Sequence, residues 1–125
     1  MTARASQPTI LVVDDDGDVR ATLAELLREQ GYVIAESADG REAEEYLRYN
    51  PPPACILLDL MMPRLDGWAV AAQMRQGHLP QVPVIVMTAA GDRWGYPAPP
   101  ERLLKKPIDA EKLLAIIRSI LAHDG

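Results

Sequence analysis

The sequence predicts an α/β domain built on a parallel sheet with helices on both faces. Short, wholly apolar runs of strand length recur along the chain: TILVV at 9–13, ACILL at 54–58 and VIVM at 84–87. Segments with apolar residues at helical spacing stand between them. The runs lack the period-two alternation of a sheet open to water on one face, so both faces must be covered. At 125 residues the chain fits one domain, able to bury about two thirds of the surface it exposes when unfolded.

The first strand is Thr9 to Val13, followed by a helix with Val19, Leu23, Leu26 and Leu27 on its inner stripe and Gly31 as its stop. Tyr32 to Glu36 is a short second strand. Gly40 to Tyr49, with Ala43 and Leu47 inward, is a second helix, ended by Pro51. Ala54 to Leu58 is the third strand and runs into Asp59; Trp68, Ala71 and Met74 then mark a third helix. Val84 to Met87 is the fourth strand and ends in Thr88.

A helix is due next, but AAGDRWGYPAPPERLL holds two Gly and three Pro in sixteen positions. An interior Pro costs a helix about 3 kcal/mol. The expectation for 89–102 is a loop, with at most one helical turn. Leu103 and Leu104 form a brief fifth strand. The last helix carries Leu113, Leu114, Ile117, Ile120 and Leu121 as its apolar stripe, with Asp109 placed as its N-cap.

Composition removes several classes of function. The net charge is −5, which offers no electrostatic case for binding nucleic acid. The single Cys55 lies in an apolar run, reads as a core residue, and suits a reducing compartment. The opening MTARASQPTI lacks the apolar core of a secretory signal, and no run approaches the roughly 18 apolar residues that span a bilayer. A cytoplasmic protein is expected, with no membrane and no direct nucleic-acid partner.

Ligands of parallel sheets bind beyond the carboxyl ends of the strands. Asp14, Asp15 and Asp16 end the first strand, Asp59 the third and Thr88 the fourth. If those strands are neighbours, carboxylates converge on one crevice beside a hydroxyl. Ionising them together at close range without a counter-ion is costly. Mg²⁺ suits such a pocket, because it takes one or two carboxylates, keeps waters and bridges to phosphate oxygens. A carboxylate beside it can attack phosphorus and form an acyl phosphate, and a Thr hydroxyl and a Lys ammonium would complete a cradle for the phosphoryl oxygens. Each feature alone has a plainer explanation: acids favour a helix N-terminus, Asp59 precedes the turn chemistry of Pro63 and Asp66-Gly67, and Lys106 is a solvated lysine. Their joint order along successive strand ends is what carries information.

Over nearly its whole length the chain resembles a response-regulator receiver domain, through ILVVDDD, GYVIAESADGREA, ILLDLMMPRLDGW, VIVMTA and LLKKPID. The resemblance implies one receiver domain over 1–125, with its core at about 9–122, and a doubly wound five-stranded parallel sheet in the order 2-1-3-4-5. It implies a phosphoacceptor at Asp59, served by a histidine kinase or a histidine phosphotransfer protein, and a Mg²⁺ ion, with Mn²⁺ as an alternative. Asp15 resembles the direct metal ligand and Asp14 its partner through metal-bound water, with Asp59 and the Met61 backbone carbonyl completing the set. Asp16 and Asp18 match no ligand and are assigned to the helix start. Thr88 and Lys106 resemble the residues that coordinate the phosphoryl group and switch, and the Lys106–Pro107 peptide is expected to be cis.

Two departures stand out. Leu103 occupies the position of the family's aromatic switch residue. The 18 residues from Thr88 to Lys106 are fewer than is usual, the shortfall lying at 89–102. Trp94 and Tyr96 sit in that stretch, where packing back onto the sheet is the expectation and an exposed anchor for a partner is the sharper alternative. Met61 and Ala90, at positions that tune loss of the phosphoryl group in the family, cannot orient an attacking water, so slow self-dephosphorylation is expected. His78 reads as an exposed loop residue, and His123 lies near the C-terminus.

The main alternative of another class is an enzyme. DDDGD after an apolar run also resembles the nucleophile loop of haloacid-dehalogenase-type phosphatases, with Asp14 as nucleophile. Asp59 and LLKKP account for more residues, so no enzyme activity beyond slow self-dephosphorylation is expected. A degenerate receiver is opposed by the filled acidic, hydroxyl and lysine positions. With no DNA-binding or catalytic segment after Gly125, a stand-alone receiver and one excised from a longer regulator or hybrid kinase are both open.

Overall fold

A computed structural model describes residues 7–60, 67–88 and 102–124. In chain order the elements are β1 (Thr9–Val13), α1 (Gly17–Glu29), β2 (Val33–Ser37), α2 (Gly40–Tyr49), β3 (Cys55–Asp59), α3 (Gly67–Arg75), β4 (Val84–Thr88), β5 (Leu103–Lys105) and α4 (Ala110–Asp124). The five strands form one sheet in the order β2-β1-β3-β4-β5, and every pairing is parallel. The expected doubly wound sheet is therefore present, with four helices among the described residues. The loop expected at 89–102 falls almost wholly outside the described residues, as do Met61, Ala90, Trp94 and Tyr96.

Strand alternation divides the core between the two faces. Ile10, Val12, Leu57, Ile85 and Met87 pack with Leu23 and Leu27 of α1 and Leu113, Ile117 and Ile120 of α4. Leu11, Val13, Ile56, Leu58 and Val86 pack with Ala43 and Leu47 of α2 and Val70 and Met74 of α3. Successive side chains of a strand point to opposite faces, so continuous apolar runs are what a doubly covered sheet requires.

Local chemistry sets the element ends. Asp16 caps α1, its side chain accepting from the amides of Asp18 and Val19, as its assignment to the helix start required. Gly31 ends that helix at φ +94, a left-handed conformation in which glycine is unstrained. Asp39 accepts from the Glu42 amide, and the Glu42 carboxylate reaches back to the Ala38 amide, a reciprocal cap for α2. Asp109 caps α4 by accepting from the amides of Glu111 and Lys112.

The start of α3 lies against the end of β3. The Gly67 amide donates to the Leu60 carbonyl at 3.1 Å. A Cβ at Gly67 would fall against the carbonyl oxygen of Asp59, closer than real contacts allow, and 2.7 Å from the Leu60 Cα. Only a residue without a side chain permits this approach.

Candidate functional site

The register brings the strand ends together. Val13 of β1 pairs with Leu58 of β3, so Asp14 and Asp59, each one step further, stand side by side. Asp14 is fully buried and Asp59 is 4% exposed, whereas Asp15 is exposed. One carboxylate oxygen from each of Asp14, Asp15 and Asp59 lies within 4.8 Å of the others.

Lys106 comes in from the end of β5. Its amide donates to the Thr88 carbonyl at 2.9 Å, and its peptide bond to Pro107 is cis. The ammonium Nζ lies 2.9 Å from Asp14 Oδ2 and 3.1 Å from Asp59 Oδ2. Two of the three carboxylates thus meet one ammonium and Asp15 stands beside them, leaving a net negative pocket with room in its charge balance for a divalent cation.

The donor set fits such an ion. Asp14 Oδ1 accepts from the Asp16 amide at 2.9 Å. Asp14 Oδ2 is buried and takes no aligned hydrogen bond among the described residues; its compensation there is the charge of Lys106. Buried carboxylate oxygens normally have their acceptor capacity used. A cluster of hard oxygen donors, one with capacity to spare, matches Mg²⁺ rather than a softer metal.

Burial opposes the Lys106 ammonium, but the close polar contacts and charge of Asp14 and Asp59 outweigh it and raise its pKa above the usual 10.5. A raised lysine pKa contributes stability that is whole below the unfolded value and is lost as pH climbs through the folded one. Denaturation midpoints of the metal-free chain should therefore fall above pH 10.5 more steeply than those of a Lys106→Met variant. Parallel curves for the two proteins would refute this coupling.

Thr88 is buried at the same sheet edge, one residue beyond the Met87 that pairs with Asp59. Leu103 pairs with Val86 and is half-buried against the core beneath α2 and α3. Asp14, Asp15, Asp59 and Lys106 are thus in one cluster, with Thr88 at its rim. His78 is exposed, its ring Nδ1 lying 3.3 Å from Gln73 Oε1.

Two features escaped the reading of the sequence. Arg20 on α1 donates from Nη1 to the Asp14 carbonyl at 2.7 Å and from Nε to Glu36 at 3.2 Å. Beside Lys106 there is also an apolar cavity of about 540 Å³, lined by Val19, Leu23, Pro107 and Ile108 with Asp18 and Thr22. Arg20 carries no sequence signal beyond its place in the first turn of the helix that follows the acid run.

The family model of the response regulator receiver domain matches residues 10–118. "Response regulator MprA" of Mycolicibacterium vanbaalenii is 41% identical over 116 residues, covering 90% of this chain and 49% of that protein. "Response regulator Rre1" of Synechocystis sp. is 34% identical over 121 residues, covering 92% of this chain and 52% of that protein. The chain spans about half the length of these curated relatives. Among solved structures, a putative response regulator from Chloroflexus aurantiacus superposes with a TM-score of 0.81 at 31% identity, covering 94% of this chain and 99% of that one. The Francisella response regulator 1452 receiver domain gives a TM-score of 0.85 at 24% identity, covering 95% and 100%, a likeness of fold.

Proposed function

The chain belongs to the response regulator receiver domain family of two-component signalling, and from that premise we propose that it is a Mg²⁺-dependent phosphoacceptor using Asp59. The observation that supports this most is the cluster of Asp14, Asp15 and Asp59, with the Lys106 ammonium held by Asp14 and Asp59. No other group of three or more metal-ligating side chains occurs among the described residues.

In this reading Asp14, Asp15, Asp59 and the Met61 carbonyl hold the ion, Mg²⁺ or Mn²⁺. When bound, it neutralises charge on the phosphoryl oxygens. A carboxylate oxygen of Asp59 attacks phosphorus, the bond from phosphorus to the donor imidazole nitrogen breaks, and its electron pair leaves with the imidazole. The product is an acyl phosphate. Lys106, already poised between two carboxylates, pairs with the phosphoryl oxygens, and the Thr88 hydroxyl donates to them. Exchanging a carboxylate for a phosphoryl group at Lys106 and Thr88 biases a two-state surface. Met61 and Ala90 leave the acyl phosphate without a side chain to orient water, so its loss is slow.

The donor is a histidine kinase or histidine phosphotransfer protein, and the apolar cavity beside Lys106 supports docking of its phosphohistidine-bearing surface. No described helix is long and apolar enough to cross a membrane; the site of action in this reading is the cytoplasm.

Incubating the chain with acetyl phosphate tests the proposal. One hydroxylamine-labile phosphoryl group per chain is expected with Mg²⁺ and none with a chelator. No incorporation, or incorporation indifferent to chelation, would overturn it. Turnover of phosphomonoesters with an acyl phosphate at Asp14 would favour the phosphatase alternative.

A further inference from the structure

Asp15 is exposed and makes no hydrogen bond of its own with the described residues. Among the described residues, what can direct its carboxylate toward Asp14 and Asp59 is the backbone that carries it. The peptide joining Asp14 to Asp15 has the Asp14 carbonyl on its plane, and that oxygen accepts from Arg20 Nη1 at 2.7 Å. On the other side of Asp14, its amide donates to the Ser37 carbonyl at 3.2 Å. The two bonds hold the Asp14 backbone between β2 and α1.

The guanidinium is itself held. Its Nε donates to Glu36 Oε1 at 3.2 Å, and the other Glu36 oxygen lies 3.4 Å from Arg28. Arg20 is 21% exposed, so its reach is shaped by packing as well as by charge. A planar guanidinium can serve the Asp14 carbonyl and Glu36 together; a lysine ammonium on a flexible stem cannot reproduce that fork.

An uncompensated cation behind an acid cluster would repel a second cation entering it. Glu36 offsets that charge while leaving the hydrogen bond to the Asp14 carbonyl intact. We propose that Arg20 is a positioning residue that fixes the Asp14–Asp15 peptide so that the acid pair is set for a divalent cation, with Glu36 balancing its charge. This rests on reading the pocket as a Mg²⁺ site. The proposal has opposite signs for two roles: as a bare charge, Arg20 weakens cation binding, whereas as a clamp it strengthens binding.

The test uses the full chain and its Arg20→Met, Arg20→Lys and Glu36→Gln variants, with Mg²⁺ binding measured by calorimetry and amide exchange measured without metal. Groups that orient metal ligands typically contribute about 10-fold or more to affinity. Arg20→Met and Arg20→Lys should both bind Mg²⁺ about 10-fold more weakly. Glu36→Gln should bind more weakly at low salt, the deficit shrinking as ionic strength rises. In metal-free protein, the Asp14 and Asp16 amides of Arg20→Met should exchange about 10-fold faster, with Leu57 in the core unchanged. That contrast separates local loosening from general loss of stability. Equal or tighter Mg²⁺ binding by Arg20→Met overturns the proposal, as does unchanged exchange at Asp14 and Asp16. Should the native chain take up no Mg²⁺, the reading of the pocket fails by itself, and exchange in the metal-free proteins still decides whether Arg20 fixes the loop.

Discussion

Asp59→Asn should cut phosphoryl incorporation from acetyl phosphate on the order of 100-fold or more, because a side-chain amide is no nucleophile toward phosphorus. The replacement is close to isosteric. Asp14 Oδ2 remains 2.9 Å from Lys106, so the ammonium keeps a partner and the fold should persist. Intact-mass measurement beside circular dichroism checks both halves. Retained labelling in the folded variant would mean that another carboxylate is the acceptor, with Asp14 the first to examine.

Gly67→Ala should destabilise the chain by about 3 kcal/mol, the upper part of the range for overpacked sites. That is a large fraction of a small domain's net stability of about 5–15 kcal/mol. The added Cβ meets main chain at Asp59 and Leu60, not the end of a mobile side chain. Relief therefore requires moving α3 away from β3 or moving the end of β3 itself, and the second displaces the carboxylate of Asp59. Urea denaturation should show the lower midpoint, and the rate of labelling should fall in the same variant under native conditions. An unchanged midpoint would show that the two elements part more easily than their contact implies.

The division of the chain into strands and helices was legible because the apolar runs of the first, third and fourth strands are continuous and the first two helices end at Gly31 and before Pro51. Gly40–Tyr49 was bounded correctly, with Pro51 as its stop, whereas the Asp39 cap at its start was not anticipated. The second strand lay one residue later than expected, at Val33–Ser37, since at a sheet edge apolar content no longer marks which residues pair. Asp14, Asp59 and Lys106 were legible as strand-end residues, and parallel register then brought them into contact. Arg20 was not: its partners are a main-chain carbonyl and Glu36, sixteen residues away, and neither kind of contact leaves a periodic trace. Gly67 was read as turn chemistry, whereas its main constraint is the approach of α3 to β3, a distance between elements that composition does not encode.

The two outer strands carry a consequence for how the protein behaves when concentrated. β2 and β5 form the two rims of the sheet among the described residues, and Val33 on β2 is 49% exposed. Such rims can recruit a strand from another molecule when they are long, flat and apolar. Here β2 has five residues and carries Glu36 bound to two arginines, while β5 has three and ends in the exposed Lys105. A strand arriving at either rim would find few amides to match and fixed charge beside them. As far as the described sheet goes, it resists growing by edge-to-edge addition and offers crowded copies little β-template at either rim.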